Sequence, residues 1–328
     1  MSKTPAPVTP PSTLMEAIRF FEDRDLCLAF LAQLRWPDGN VACPNCGSRE
    51  IRFLSTRRLW ECKTKHPKRQ FSIKVGTIFE DSAIPLDKWM TAVWLLANCK
   101  NGVSSYELAR DLKITQKSAW FMLHRIRLAM QESGGMLGGP GSTVQVDETW
   151  IGGAARWMNA KRRKKAATGK APSPYSTPRA MVLGMLEKGG RVKAKVMGRA
   201  TRWDLWSEIN AAVAKGSEIH TDELTAYRGL ADQDYAHKVV NHSETYVDGL
   251  VHTNGIENFW GLLKRAIRGT YVSVEPFHLF RYLDEQAFRF NERKSDDRGR
   301  FLAVLATVIG RRLTYRALTG AELAARPA

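Results

Sequence analysis

The apolar pattern of this chain changes its period at one place, the glycine-rich stretch "ESGGMLGGPGS" that closes at Ser142. Ahead of it, apolar residues recur at helical spacing. Beyond it they alternate every second residue, as a strand with one face in a core requires. At 328 residues the chain can hold two or three domains with separate cores, so the change marks a domain boundary and residues 133–142 read as its linker.

Upstream, residues 1–13 are rich in Pro, Ser and Thr and predict a disordered leader. Residues 14–40 predict one helical segment, with Phe20, Leu28 and Leu31 among its apolar positions and "PDGN" ending it. Residues 41–80 hold a cysteine cluster, and 85–132 are helical again with a polar break near Asn101 and Gly102. Downstream, "STVQVDETWIGG" alternates around Val144 and Val146, and "RAMVLGMLEKGG" with "RVKAKVMGRA" reads as a hairpin turning at Gly189 and Gly190. "RWDLWSEINAAVAK" then reads as a helix, "SEIHTDEL" and "HKVVNH" as strands, and two more helices start near Asn254 and Phe277. This order predicts an α/β domain over 143–295, a mixed sheet flanked by helices. Residues 296–328, with Arg311 and Arg312 in the middle, predict a helical tail. Residues 156–170, between the first strand and the hairpin, hold seven bases, including Lys161, Arg162 and Arg163, and no acid.

Lys and Arg total 50 against 33 Asp and Glu, a formal net charge of +17. That balance favours a polyanionic partner such as nucleic acid, although ribosomal and membrane-surface proteins share it. No apolar run approaches the roughly 18 residues of a membrane span, and the first residues lack the basic-then-apolar order of a signal peptide. A soluble protein of the cytoplasm is expected, with no membrane partner.

The five cysteines are an odd number with three clustered, which suits a reducing compartment. Cys43 and Cys46 in "CPNCG" form a C-x2-C knuckle, and Cys62 and His66 follow as C-x3-H. Three thiolates and an imidazole can close a tetrahedral zinc site. A second C-x2-C pair would need a cysteine where Lys65 stands, so His66 takes the fourth place. A ribbon this small cannot fold on apolar burial alone, so the zinc would be structural. Cys27 and Cys99 lie in apolar helical settings and read as core.

In "SSYELARDLKITQKSAWFMLHRIRLAM" two short helices meeting at a sharp angle would bury Leu108, Ala109, Leu112, Ile114, Ala119 and Met122. The second would present Gln116, Lys117 and Ser118 near its start, and His124, Arg125 and Arg127 further along, as a helix-turn-helix reader of the major groove does. Lys113 stands where such turns often carry glycine. An ordinary helical hairpin with a basic face fits the same pattern.

Three acids stand out by position: Asp147 in the first strand of the α/β region, Asp222 at the end of "EIHTD", and Glu257 on the helix "NGIENFWGLLKR". Singly, each reads as a solvated or capping group. On the last helix Ile256, Phe259, Trp260, Leu263 and Ile267 form an apolar stripe, with Asn254, Glu257, Gly261, Lys264 and Arg268 on an adjacent polar one. Carboxylates beside a sheet, with bases on the same helix face, suit phosphodiester chemistry, in which two divalent cations need hard oxygen ligands and a base can hold a phosphate.

"VDETWIGG", "HTDELTAY", "HTNGIENFWGLLKR" and "FHLFRYLDEQAFRFNER", preceded by "CPNCG", "FSIKVGTIFEDSAIPLDKW" and "SAWFMLHRIR", resemble the DDE transposases of bacterial insertion sequences. The particular likeness is to the zinc-ribbon group with an ISXO-two-like catalytic domain, over about residues 20–295. The resemblance implies a ribonuclease-H-like catalytic fold preceded by a zinc ribbon and a helix-turn-helix. It implies Mg2+ (or Mn2+) as cofactor and, as partners, the element's terminal inverted repeats and target DNA. By motif, Asp147 becomes the first acid, Asp222 the second, Glu257 the third and Lys264 a trailing base; Asn254 is a second candidate for the third position, since relatives in this group can carry asparagine there. The expected activity is cleavage at the element ends and transfer of the 3′-hydroxyl ends to target DNA, by a homodimer or higher oligomer associated with the nucleoid. Two other readings share the charge: a non-enzymatic DNA-binding regulator derived from a transposase, and a ribonuclease-H-like cellular nuclease.

Overall fold

The computed structural model describes residues 8–132, 134–152, 179–198, 201–239 and 253–320. The chain divides into two compact units, Met1–Met130 with Lys294–Ala328, and Gln131–Arg293. No helix among the described residues is long and apolar enough to cross a membrane.

The first unit opens with two helices where one segment was expected, α1 (Leu14–Glu22) and α2 (Arg24–Arg35). Asp23 breaks the run because its backbone is extended and its carboxylate accepts from the amides of Asp25 and Leu26, capping α2. Within the stretch read as a disordered leader, Pro11 is buried and the Thr13 hydroxyl caps α1. The ribbon follows as an antiparallel sheet of β1 (Ile51–Leu54), β2 (Leu59–Cys62) and β3 (Gln70–Phe71). Trp60 is its small core, stacked on Phe71 and edge-on to Trp36.

Three helices come next, α3 (Leu86–Asn98), α4 (Ser105–Leu112) and α5 (Gln116–Met130). The α4 and α5 pair is joined by a short turn in which Lys113 takes the left-handed conformation, φ 48° and ψ 57°, that favours glycine. Leu108, Leu112, Ala119 and Met122 are buried as expected, while Ala109 and Ile114 are half-buried.

The basic residues further along α5 depart from expectation. From Met122 to Met130 this helix is buried on nearly every side, and His124, Arg125 and Arg127 are all inside. The Arg125 guanidinium donates to the carbonyls of Leu313 (3.1 Å), Ile78 (3.0 Å) and Glu80 (2.7 Å), with the Phe121 ring beneath it. A helix face so enclosed cannot enter a groove, so Arg125 is a structural donor, not a base reader. One of its partners is contributed by the chain's last segment, which was read as a separate tail. There the helix Asp297–Ala306 seats Phe301 against Phe21, Phe30 and Trp94 in the same core.

The second unit is a five-stranded sheet in the order β6-β5-β4-β7-β8, from β4 (Thr143–Gly152), β5 (Arg179–Glu187), β6 (Val192–Met197), β7 (Glu218–Thr221) and β8 (Ala236–Val239). β4, β5 and β6 form an antiparallel meander, and β7 and β8 run parallel to β4. One face packs α6 (Arg202–Ala212), where Val144, Val146, Leu183 and Met185 meet Leu205 and Ile209. The other packs α7 (Asn254–Ala266) and α8 (Leu279–Asn291), where Val182, Leu186 and Val192 meet Ile256, Phe259, Leu263 and Leu283. Three antiparallel strands continued by two parallel ones, with helices on both faces, are the ribonuclease-H-like architecture. The stretch read as a linker belongs to this unit: Leu137 is fully buried, and its amide and carbonyl bond Ala212 and Ala214.

Replacing Arg125 by Ala leaves three carbonyls, two of them buried, without their donor and should destabilise the helical unit by about 2–4 kcal/mol. Circular dichroism melting reads this directly; a transition unmoved by the substitution would contradict the structural role.

Candidate active site and zinc centre

In the ribbon, the four expected ligands converge. The sulfurs of Cys43, Cys46 and Cys62 and a ring nitrogen of His66 all lie within 4.8 Å of one another. Cys46 Sγ and Cys62 Sγ are 3.7 Å apart, and Cys43 Sγ and His66 Nε2 are 3.4 Å apart. A regular tetrahedron with Zn–S bonds of about 2.3 Å has sulfur–sulfur edges of about 3.8 Å, so the cage has the size of the ion. The knuckle closes because Gly47 has φ +74° and its amide donates to the Cys43 carbonyl at 2.9 Å. His66 Nδ1 lies 2.6 Å from the Pro67 carbonyl, which can only accept, so the proton sits on Nδ1 and Nε2 keeps its lone pair for metal. Burial opposes ionisation of Cys62, but hydrogen bonds from His66, Cys46 and Thr64 outweigh it and bring the thiol down to about 6. The ligand set and its orientation fit a structural zinc.

In the α/β unit the sheet register brings two of the three acids together. Thr143 opposes Glu218, Val144 opposes Ile219 and Gln145 opposes His220. Carried on by two residues, that register puts Asp147 level with Asp222, just past the end of β7. Here the sheet changes from antiparallel to parallel pairing, the kind of crevice where α/β sheets bind ligands. Asp222 is shaped by its own loop, its Oδ1 accepting from the Leu224 amide at 3.1 Å.

Asp147 is half-buried and held from two sides. Its Oδ1 accepts from the Glu148 amide at 2.8 Å and its Oδ2 from the Trp260 indole at 2.8 Å. Trp260 stands on the apolar stripe of α7, so one side chain both packs the helix and aims a donor at the acid. The close approach depends on Gly184, the β5 partner of Asp147, where a Cβ would come within 2.5 Å of the Trp260 ring. Gln145, buried on the same strand, accepts the Ile256 amide at 3.0 Å and fixes the first turn of α7. Glu257 is on that first turn, exposed, where the helix dipole favours a carboxylate, and Thr253 Oγ1 donates to its Oε1 at 2.9 Å. Asn254 is exposed one turn earlier.

Electrostatics couple the three expected acids. Burial raises the Asp147 carboxyl above its ordinary value, and the charges of Asp222 and Glu257 push it further. A fourth acid, absent from the sequence reading, joins them. Glu148 is raised to about 7, first by burial and then by Asp222 and Asp147, although the Tyr227 hydroxyl donates to it at 2.5 Å. Asp147 and Glu148, held against ionisation by burial and by neighbouring negative charge, mark a place where a hard divalent cation would relieve the repulsion.

The remaining candidates divide. Gln116 and Ser118 are partly exposed and Lys117 exposed at the start of α5. Lys264 is half-buried and Arg268 exposed beyond Glu257, Arg268 within a five-residue π-helical stretch, Ile267–Tyr271. Lys161, Arg162 and Arg163 lie outside the described residues. Sequence reasoning missed Gln145, Glu148, Gly184 and Tyr227. The signal available was the adjacent acids Asp147 and Glu148, which follow Val146 and put a charged residue on both faces of the strand.

Residues 136–291 match the family model of the ISXO2-like transposase domain, and residues 22–64 match the transposase zinc-ribbon domain. The chain thus carries a stretch similar to the transposase zinc-ribbon domain followed by one similar to the ISXO2-like transposase domain. It is 26% identical over 260 residues to an uncharacterized protein in transposable element ISH50 of Halobacterium salinarum, spanning 76% of this chain and 85% of that protein. The crystal structure of the Mos1 strand transfer complex covers 74% of this chain and 79% of its own at 12% identity and a TM-score of 0.24.

Two outcomes are expected. Removing zinc with a strong chelator should release about one ion per chain and unfold the ribbon; His66→Cys should keep the ion and His66→Ala lose it. Zinc content and near-ultraviolet dichroism measure both, and an unchanged spectrum in the metal-stripped protein would contradict them. With no divalent cation present beyond the ribbon zinc, Glu148 binds its proton more tightly folded than unfolded, so its contribution to stability is present below pH 4.5 and lost as pH rises toward 7. The melting temperature of wild type should therefore fall relative to Glu148→Gln across that window; parallel curves would rule this out.

Proposed function

We propose that this transposase binds the terminal inverted repeats of its element, cleaves their ends and joins the freed 3′-hydroxyls to target DNA, with Asp147, Asp222 and Glu257 as its catalytic carboxylates. The observation that carries the reading is the register that sets Asp147 on β4 level with Asp222 just past the end of β7, with the charge of Glu257 reaching Asp147.

Two divalent cations, Mg2+ or Mn2+, would supply activation of the attacking water or 3′-hydroxyl and stabilisation of the leaving oxygen. The three carboxylates would hold them, with Asn254 beside Glu257 as a further oxygen donor. Trp260 and the Glu148 amide keep Asp147 aimed, so its oxygens need no reorganisation when DNA arrives. Lys264 and Arg268, seven and eleven residues beyond Glu257, would hold the backbone phosphates that flank the cut. Hydrolysis breaks one P–O bond and leaves a 3′-hydroxyl and a 5′-phosphate. Strand transfer then breaks one phosphodiester and forms another, so no external energy source is needed.

Recognition of the repeats is assigned to the first turn of α5, where Gln116, Lys117 and Ser118 lie, with Lys161, Arg162 and Arg163 as phosphate contacts. Joining two ends calls for at least two catalytic domains, hence a homodimer or larger assembly, acting on nucleoid DNA in the cytoplasm.

The test incubates the full chain with labelled DNA carrying the repeats that flank its gene, in Mg2+ or in EDTA. Nicks at the repeat ends that need metal, and that fall at least about 100-fold in Asp147→Asn and in Glu257→Gln, are expected. Specific binding without cleavage would identify a regulator, and equal cutting of unrelated DNA a cellular nuclease.

A further inference from the structure

The Glu148–Tyr227 pair has no part in the chemistry above, yet it joins the two elements that carry the catalytic aspartates. Glu148 follows Asp147 on β4, and strand alternation sends its side chain to the opposite face of the sheet. Tyr227 closes the 3-10 turn Thr225–Tyr227, five residues after Asp222. Two hydrogen bonds close that turn: the Tyr227 amide donates to the Leu224 carbonyl at 3.0 Å, and the Leu224 amide to Asp222 Oδ1 at 3.1 Å. The Tyr227 ring is 1% exposed, packed in the core on the α6 face of the sheet. Its hydroxyl meets Glu148 Oε2 at 2.5 Å.

The strand ladder does not do this work. The paired residues of β4 and β7 end at Gln145 and His220, two positions short of the aspartates. Across that gap, where the cation ligands would sit, the Tyr227 hydroxyl bond is a tie from the Asp222 loop to β4. Without it, mutual repulsion between Asp147 and Asp222 would be resisted by the packing of the loop in the core and by the Trp206 indole, which donates to the Ala226 carbonyl at 3.2 Å.

We propose that Glu148 and Tyr227 are positioning residues: their hydrogen bond fixes the spacing of Asp147 and Asp222 and so sets the site's affinity for divalent cation. This rests on the assignment of those aspartates as cation ligands under the proposed function. Partners of this kind, once removed, typically weaken metal binding about 10–100-fold.

The experiment measures Mn2+ binding to the zinc-loaded, DNA-free full chain by paramagnetic resonance of the free ion, together with the melting temperature. Four proteins form a cycle: wild type, Tyr227→Phe, Glu148→Gln, and the double variant. Asp147→Asn is the reference for loss of the site. In Glu148→Gln the new amide oxygen can still accept the Tyr227 hydroxyl, so that variant isolates charge while Tyr227→Phe isolates the bond. Tyr227→Phe should weaken Mn2+ at least about tenfold relative to its parent in both the Glu148 and the Glu148→Gln backgrounds, with folding retained. The Glu148→Gln background keeps the test valid should Tyr227→Phe alone fail to fold, since it leaves no carboxylate without its donor. Equal Mn2+ affinity with and without the hydroxyl overturns the proposal. So does loss of binding in Glu148→Gln as complete as in Asp147→Asn, which would make Glu148 a ligand itself. Binding unchanged in Asp147→Asn is a different failure, that of the catalytic assignment beneath it.

Discussion

Carboxylates gathered at one place repel one another, and a folded chain that keeps them there must supply the restraint from elsewhere. In the α/β unit the restraint is built around Asp147. An indole from α7 and the backbone amide of the next residue hold its two oxygens, while burial and the neighbouring acids raise its affinity for a proton. Much of the local architecture follows from this. Gly184 is bare because the indole needs the room, and Gln145 is buried because the helix carrying Glu257 must be docked by its first amides.

The same logic accounts for the sheet. β4 lies at its centre and pairs antiparallel with β5 along its length, but only its first three residues pair with β7. The short parallel ladder sets the register and then stops, so Asp147, paired with Gly184 on its β5 side, is open on its β7 side, where Asp222 follows the strand end. A longer β7 would satisfy more backbone groups and close the crevice. Asp222 keeps its place through turn geometry instead, with Leu224 and Tyr227 completing the loop.

The zinc ribbon solves a different problem by related means. Its sheet is too small for a sizeable core, and Trp60 with its aromatic neighbours is most of what it buries. Ion coordination supplies what apolar area cannot, and the Pro67 carbonyl sets the imidazole tautomer that coordination requires. Further along the same unit, burial decides the role of a basic residue. Arg125 and Lys117 lie on one helix eight positions apart, yet Arg125 is enclosed and bonded to three carbonyls while Lys117 is exposed.

Local pattern alone determined a good deal about this protein: the zinc ligands, the order of strands and helices in the α/β unit, and the hairpin at Gly189 and Gly190, while the grouping of Asp147, Asp222 and Glu257 came from the resemblance to a transposase family. The patterned features are short-range, set by ligand spacing, by alternation with a period of two or 3.6, and by turn residues. Tertiary structure decided the rest. It enclosed Arg125, recruited the stretch around Leu137 into a core and the segment after Lys294 into the helical unit, and brought Glu148 to Tyr227 across 79 positions of chain. The physical reason is that burial and long-range hydrogen bonding depend on which surfaces meet. A basic side chain reads alike in sequence whether its helix face will meet water or a neighbouring carbonyl.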